Sequence, residues 1–471
     1  MIIRNVTVVD GTGGAPRAGM DVHIADGRFT DIRPSSTERS PTPAGEPVLD
    51  GRGGYLLPGL WEGHTHLRDY GASLPRPERT AHLRDVLAGY LAEGVTSVCD
   101  LGGMPELSPE LRDVSKADSA MASLFTTEVA FTGIDGWPVT GLKGDRSGVM
   151  EVGSADDARR CLRGLRLSEV DYIKCMFDGK PGGGRRLPPE ALEVIISAAH
   201  TAGKKVFVHI ATGTDMREAI QAGADCIEHS PVPRDPRDLS EAEQLAALMA
   251  EAGTLYCPTI ATWEQLAFGA YPDYLDRLDT DGILTPDEAK EIAARPTYGQ
   301  PFPKHPADEC RLRFDYAMRT LPIFQEADVR LVAGSDIARV MPTPARALRR
   351  ELQLFAKAGV PNSAVIAAAT SRAAEKVGLL PTRGTITVGS VADALLLDAD
   401  PLADISHLID QRHVRPLSAP AASPLARPCP ADLRGPGTPG TAPRRVVGVG
   451  QVRPVRGRSS ALRSTAPDAP G

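Results

Sequence analysis

Two histidines stand two residues apart in LLPGLWEGHTHLRDYG, residues 56–71, directly after an apolar run and a Pro-Gly. In a β-strand successive side chains alternate faces, so His64 and His66 point one way and Thr65 the other. Two imidazole nitrogens on one side suit a metal ion, although an isolated pair would equally suit the wet face of an edge strand. The rest of the chain decides between these. Lys174 in DYIKCMFDG, His209 in KVFVHIA, His229 in CIEHSP and Asp336 in AGSD each end an apolar run rich in β-branched or aromatic residues. The other histidines, His23, His82, His200, His305, His407 and His413, fall at no such strand end.

The elements that carry these residues repeat. Apolar runs at 55–67, 94–103, 123–133, 170–177, 204–211, 225–231, 254–261 and 329–338 alternate with stretches such as PPEALEVIISAAHTAG, whose apolar residues recur at three and four. Eight strand-then-helix units predict an α/β fold, a (β/α)8 barrel of the TIM type. All strand C-termini of such a barrel open at one mouth, so the six residues converge there. A doubly wound open sheet is the alternative, but no Gly-x-Gly-x-x-Gly follows an early strand. Residues 262–328, between the seventh and eighth strands, are too long for a plain connection and read as a lid-like insertion or a cover on the rim.

Around the barrel lies a second pattern. Short alternating bursts punctuated by Asp-Gly occupy the first 50 residues, and a similar burst, RGTITVGSVADALLLDAD, returns at 383–400. These predict a small β-sandwich built from both ends of the chain. The expected division is residues 1–55 and 379–412 for the sandwich, 56–378 for the barrel, and 413–471 for a tail. From Arg415 onward the chain holds nine arginines, eleven prolines and two acids. Such a segment cannot offset its ordering entropy by apolar burial and is expected to be disordered, its prolines unsuited to central strands.

Composition narrows the function classes. A net charge of −7 gives no reason to expect a nucleic acid or a membrane as partner. A small-molecule substrate is the expectation instead. Seven scattered cysteines without a Cys-x-x-Cys, and no run of 18 apolar residues, read as a cytoplasmic chain with reduced thiols.

The motifs PGLWEGHTHL, KVFVHIATG, CIEHSP and AGSD, with the closing segment GTITVGSVADALLLDADPLADI, resemble the amidohydrolase superfamily over about residues 1–410. The branch most similar holds imidazolonepropionase-like enzymes and metal-dependent Xaa-Arg or Xaa-Pro dipeptidases. The resemblance implies one or two divalent metal ions, most often zinc. His64, His66 and Asp336 would hold the first, His209 and His229 the second, and Lys174 would bridge both as a carbamate. It also implies a homo-oligomer, since relatives often form dimers or larger assemblies.

The reaction so implied is hydrolysis of a C–N bond, in an amide, peptide or cyclic amide, by metal-bound hydroxide. Cations lower the pKa of bound water from near 16 to about 7. Asp336 would accept the water proton and pass it to the leaving nitrogen, and His229 would help polarise the carbonyl. Candidate substrate contacts at the mouth are Arg68, Tyr70, Trp263 and Arg339, the arginines as partners of a substrate carboxylate. Two other readings stay open: a mononuclear imidazolonepropionase-like cyclic amide hydrolase or deaminase, and a non-catalytic scaffold that keeps the barrel.

Overall fold

A computed structural model describes the chain except for residues 37–45, 140–145, 179–184, 272, 296–305, 337–340, 342, 410–413 and 417–471. The strands at the two ends of the described chain share one sheet. β1 (Ile2–Val8), β2 (Arg17–Ala25), β3 (Arg28–Pro34), β4 (Val48–Asp50) and β5 (Tyr55–Pro58) are joined there by the late strands β15 (Ala394–Leu397) and β16 (Val414–Pro416). Alternation within β1 and β2 buries Ile3, Val6, Val8, Met20 and Val22 against Phe29, Leu56, Ile386 and Leu396.

β16 lies just past the expected end of the sandwich at residue 412. The proline-rich segment is expected to leave the sheet after residue 412, yet Val414–Pro416 pair antiparallel with β15, Leu397 opposite Val414 and Leu395 opposite Pro416. β16 is an edge strand, and an edge tolerates a proline that a central strand would not. The remainder of the expected tail, 417–471, lies outside the described residues.

The barrel follows. Its strands are β6 (Leu60–Thr65), β7 (Val95–Asp100), β8 (Ser123–Thr126), β11 (Ile173–Phe177), β12 (Val206–Ile210), β13 (Cys226–Glu228) and β14 (Leu255–Cys257). Every pairing among them is parallel. The third predicted run is interrupted: β8 gives way at Glu128, whose φ is +61°, to β9 (Ala130–Gly133), which pairs with β11 and with β10 (Val149–Val152). Asp171 N donates to Thr126 O at 3.1 Å and joins the two arcs.

The eighth strand position is a run of backbone bonds rather than a regular strand. Val332 N donates to Tyr256 O at 2.8 Å, Gly63 N to Ala333 O at 3.0 Å, and Asp336 N to His64 O at 2.8 Å. Two glycines make this seam possible. A Cβ on Gly63 would lie 2.4 Å from Ala333 O, and one on Gly334 would lie 2.7 Å from His64 N.

Period-two alternation then sorts the side chains. Ile173, Cys175, Phe177, Val206, Val208 and Ile210 pack outward against the helices. Tyr172, Phe207, Cys226 and Cys257 fill the interior with Trp61 and Phe125. Lys174 and His209 follow Tyr172 and Phe207 on the same inward phase, one level nearer the mouth. The long seventh connection contains the helices Ile260–Phe268, Asp273–Thr280, Pro286–Ala293 and Ala307–Glu326. Six cysteines among the described residues are free thiols, and no described helix is long and apolar enough to cross a membrane.

Candidate metal centre

The strand ends bring the histidines and Asp336 within reach of one another. His64 Nε2 and His66 Nε2 lie 3.4 Å apart. Asp336 Oδ1 is 3.1 Å from His66 Nε2 and 3.6 Å from His64 Nε2. The three residues can therefore offer ligand atoms all within 4.8 Å of one another. Asp336 Oδ2 faces the other way, 3.8 Å from His229 Nδ1. The His229 ring lies 4.9 Å from that of His64 and 4.4 Å from that of His209. Lys174 is fully buried beside this group, and its Nζ has no hydrogen-bond partner among the described residues.

Three of these residues, His64, Asp336 and His229, are held from behind. Glu62 accepts from His64 N at 3.0 Å, from Ser335 N at 2.9 Å and from Ser335 Oγ at 2.7 Å, tying the first strand to the last. Thr262 Oγ1 donates to Asp336 O at 2.9 Å, and Thr259 Oγ1 lies 2.7 Å from His229 Nδ1. His229, Thr259 and Asp336 all adopt left-handed backbone, with φ of +77°, +50° and +50°. For non-glycine residues this conformation is costly, and it clusters where a side chain must be aimed off the strand.

Electrostatics sets the protonation states. Burial, with Lys174 nearby, lowers His64 to about 4, and burial with His209 and His64 takes His229 well below the usual imidazole range. Burial would raise Asp336, but the charge of His64 and the hydrogen bond from His66 pull it down to about 2. Neutral imidazoles facing an ionised carboxylate are the state that a divalent ion needs. Burial lowers His66, but the bond to Asp336 outweighs it and leaves His66 raised. His66 Nε2 and Asp336 Oδ1, 3.1 Å apart beside His64, are donors of the types a divalent ion takes, so the donor set fits a metal.

The residues proposed for substrate contact are placed unequally. Arg68 is half-buried and donates through Nη1 to Gly102 O at 3.3 Å, beside His66. Trp263 packs its ring 5.9 Å from that of His229, with the Arg313 guanidinium stacked 4.4 Å from the indole. Tyr70 is 2% exposed, packed with Leu67, Leu83 and Leu87, and its hydroxyl bonds Thr65, the residue between the two metal-facing histidines. Arg339 lies outside the described residues.

Sequence reasoning passed over Glu62, Asp178, Glu228, Thr259 and Lys376. Asp178 Oδ2 lies 3.6 Å from His209 Nε2. Glu228 Oε2 is 2.7 Å from His64 Nδ1, and its Oε1 is 2.6 Å from Lys376 Nζ. Burial would raise Glu228, yet Lys376 and His64 hold it well below the carboxylate range. A carboxyl inside an apolar strand was the available signal for Glu62 and Glu228. Lys376, on a short helix of mixed composition, offered none.

A parallel barrel whose mouth gathers imidazoles and a carboxylate defines a class, the metal-dependent hydrolases built on this frame. The amidohydrolase family model matches residues 55–417, and the chain belongs to that family. Among curated relatives, a dihydroorotase of Thermus aquaticus is 31% identical over 109 residues, 23% of this chain and 21% of that one. An uncharacterized protein of Mycobacterium tuberculosis is 26% identical over 275 residues, 56% of this chain and 65% of that one. The chain thus spans less than two thirds of the curated relatives' lengths. A solved prolidase complexed with N-methylphosphonate-L-proline superposes with a TM-score of 0.70 at 22% identity, covering 88% of this chain and 96% of that one.

Proposed function

We propose that the chain hydrolyses a C–N bond, amide, peptide or cyclic amide, in a small amino-acid-derived substrate. The observation that carries this reading is the close approach of His64, His66 and Asp336, with His229 across the Asp336 carboxylate. His64, His66 and Asp336 would hold one divalent ion, zinc first among candidates, and His209 and His229 a second. Lys174 would bridge as a carbamate. A bound ion would supply an acidified water and polarise the substrate carbonyl.

The chain's own residues do the rest. Asp336 keeps one oxygen towards the His64–His66 pair and leaves Oδ2 to take a proton and deliver it to the leaving nitrogen. Burial lowers Lys174 and so favours the neutral amine. That amine forms an N–C bond with carbon dioxide and releases a proton, giving an anionic two-oxygen group where an ammonium would only repel cations. Arg68 and Trp263 flank the group as substrate contacts. A prolidase among the structural neighbours and a dihydroorotase among the relatives support an amino-acid-derived substrate.

The test is metal content by mass spectrometry of chelator-free protein, followed by a panel of Xaa-Pro and Xaa-Arg dipeptides, N-acyl amino acids and dihydroorotate. About two equivalents and turnover of one panel class are expected. Metal-free protein inert after zinc loading would overturn the reading and leave the scaffold. His64, His66 and Asp336 alone offer three ligand atoms, enough for a single-ion variant as the second reading. One equivalent, unchanged in Lys174→Ala, would establish that variant.

A further inference from the structure

Lys376 ends the helix Ser371–Lys376, which follows the eighth strand position, and its side chain is fully buried. Its surroundings are apolar: the ammonium sits 4.5 Å from the Phe207 ring centroid, in an interior lined by Trp61, Cys99, Cys226 and Cys257. Two contacts leave it. Nζ donates to Gly63 O at 2.8 Å, the carbonyl immediately before His64, and pairs with Glu228 Oε1 at 2.6 Å. The second carboxylate oxygen of Glu228 meets His64 Nδ1 at 2.7 Å. Lys376 thus reaches His64 twice, through its backbone and through its ring.

We infer that Lys376 is a positioning residue for the metal centre, acting through Glu228 to fix the ring orientation and tautomer of His64. This inference rests on the metal-site reading above. A carboxylate can only accept, so Nδ1 of His64 carries a hydrogen, and in the neutral ring Nε2 is then the lone-pair nitrogen on the side shared with His66 and Asp336. A carboxylate behind a ligating histidine also raises the basicity of that ligand. Packing alone does not explain the charges: an apolar pair of similar volume would fill this interior without desolvating two ions. Removing Lys376 leaves Glu228 buried without its counter-cation and takes away the hydrogen bond to Gly63 O.

The test compares wild type with Lys376→Met, Lys376→Arg and Glu228→Gln. Zinc affinity of the apo-proteins is measured by chelator competition, with the His64 tautomer read from imidazole 15N shifts in the same samples. Lys376→Met and Glu228→Gln should bind zinc about 10–100-fold more weakly, with His64 no longer held as the Nδ1–H form, and Lys376→Arg should recover part of both. Wild-type zinc affinity and an unchanged tautomer in folded Lys376→Met would overturn the inference, whatever its thermal stability. Should Lys376→Met not fold, the same pair of results in the near-isosteric Glu228→Gln would overturn it instead. A wild type that binds no zinc would sink the functional reading, while the tautomer comparison would still decide the role of Lys376.

Discussion

Two of the buried ionic networks among the described residues end differently. The one that joins the long connection to the helix Pro344–Lys357 is closed. Arg350 grips Glu264 with Nε at 2.7 Å and Nη2 at 2.6 Å, while its Nη1 reaches Asp281 Oδ2 at 2.6 Å and Gln353 Oε1 at 2.8 Å. Lys357 completes it on Asp281 at 2.6 Å. The bidentate clamp on Glu264 ties the helix Ile260–Phe268 to the helix Pro344–Lys357, and Asp281 adds the residue just past the helix Asp273–Thr280. The network inside the barrel is open: from Lys376 through Glu228 it ends on an imidazole whose far nitrogen faces Asp336 and His66. A planar guanidinium fastens several groups at once, whereas a lysine supplies a point charge at the end of a line. The closed network therefore fastens helices, and the open one conditions a site.

The sharpest break lies where the open network ends. Asp336→Asn should cut hydrolysis of any substrate the wild type turns over by on the order of 10³-fold. Circular dichroism should stay native, and steady-state rates check the effect. Next comes Lys174→Ala, for which metal analysis should show the loss of one ion per chain. A clean separation of the two networks is expected from Arg350→Met, which strands buried Glu264 and should lower unfolding free energy by about 3–5 kcal/mol. Zinc affinity in that variant should equal wild type, the reverse of the pattern for Lys376→Met; equal losses in both would erase the distinction.

The smallest effect belongs to Asp281. Burial would raise its carboxyl, but hydrogen bonds from Lys357 and Arg350 leave it below the ordinary 3.8. A depressed carboxylate contributes stability that is present above the ordinary value and is lost as pH falls through the folded one. Asp281→Asn should therefore lower Tm modestly at neutral pH and converge on wild type in acid below 3.8. Melting curves across that range check the sign.

What could be read beforehand follows from how locally each feature is encoded. His64, His66, His209 and Asp336 were legible because a parallel barrel brings its strand ends to one mouth, and each sits in a short motif at such an end. The broken third strand was not, since SLFTTEVAFTG is uniformly strand-like and only the left-handed Glu128 divides it. Tyr70 follows His66 closely, and its burial among Leu67, Leu83 and Leu87 could not be read from that spacing. Lys376 was illegible for another reason: its partners Gly63 and Glu228 are contributed by two other strands, a pairing that exists only in three dimensions.

The seam between the first and last barrel strands carries a temporal consequence. Glu62 and Ser335 join across 273 residues, and His64 and Asp336 meet immediately beside them. On a ribosome the histidine half of the site emerges long before its carboxylate, and contacts of such long sequence separation form slowly. The His64–His66–Asp336 triad thus comes into being only when the ring closes, and a metal held there would be a late reporter of completed folding.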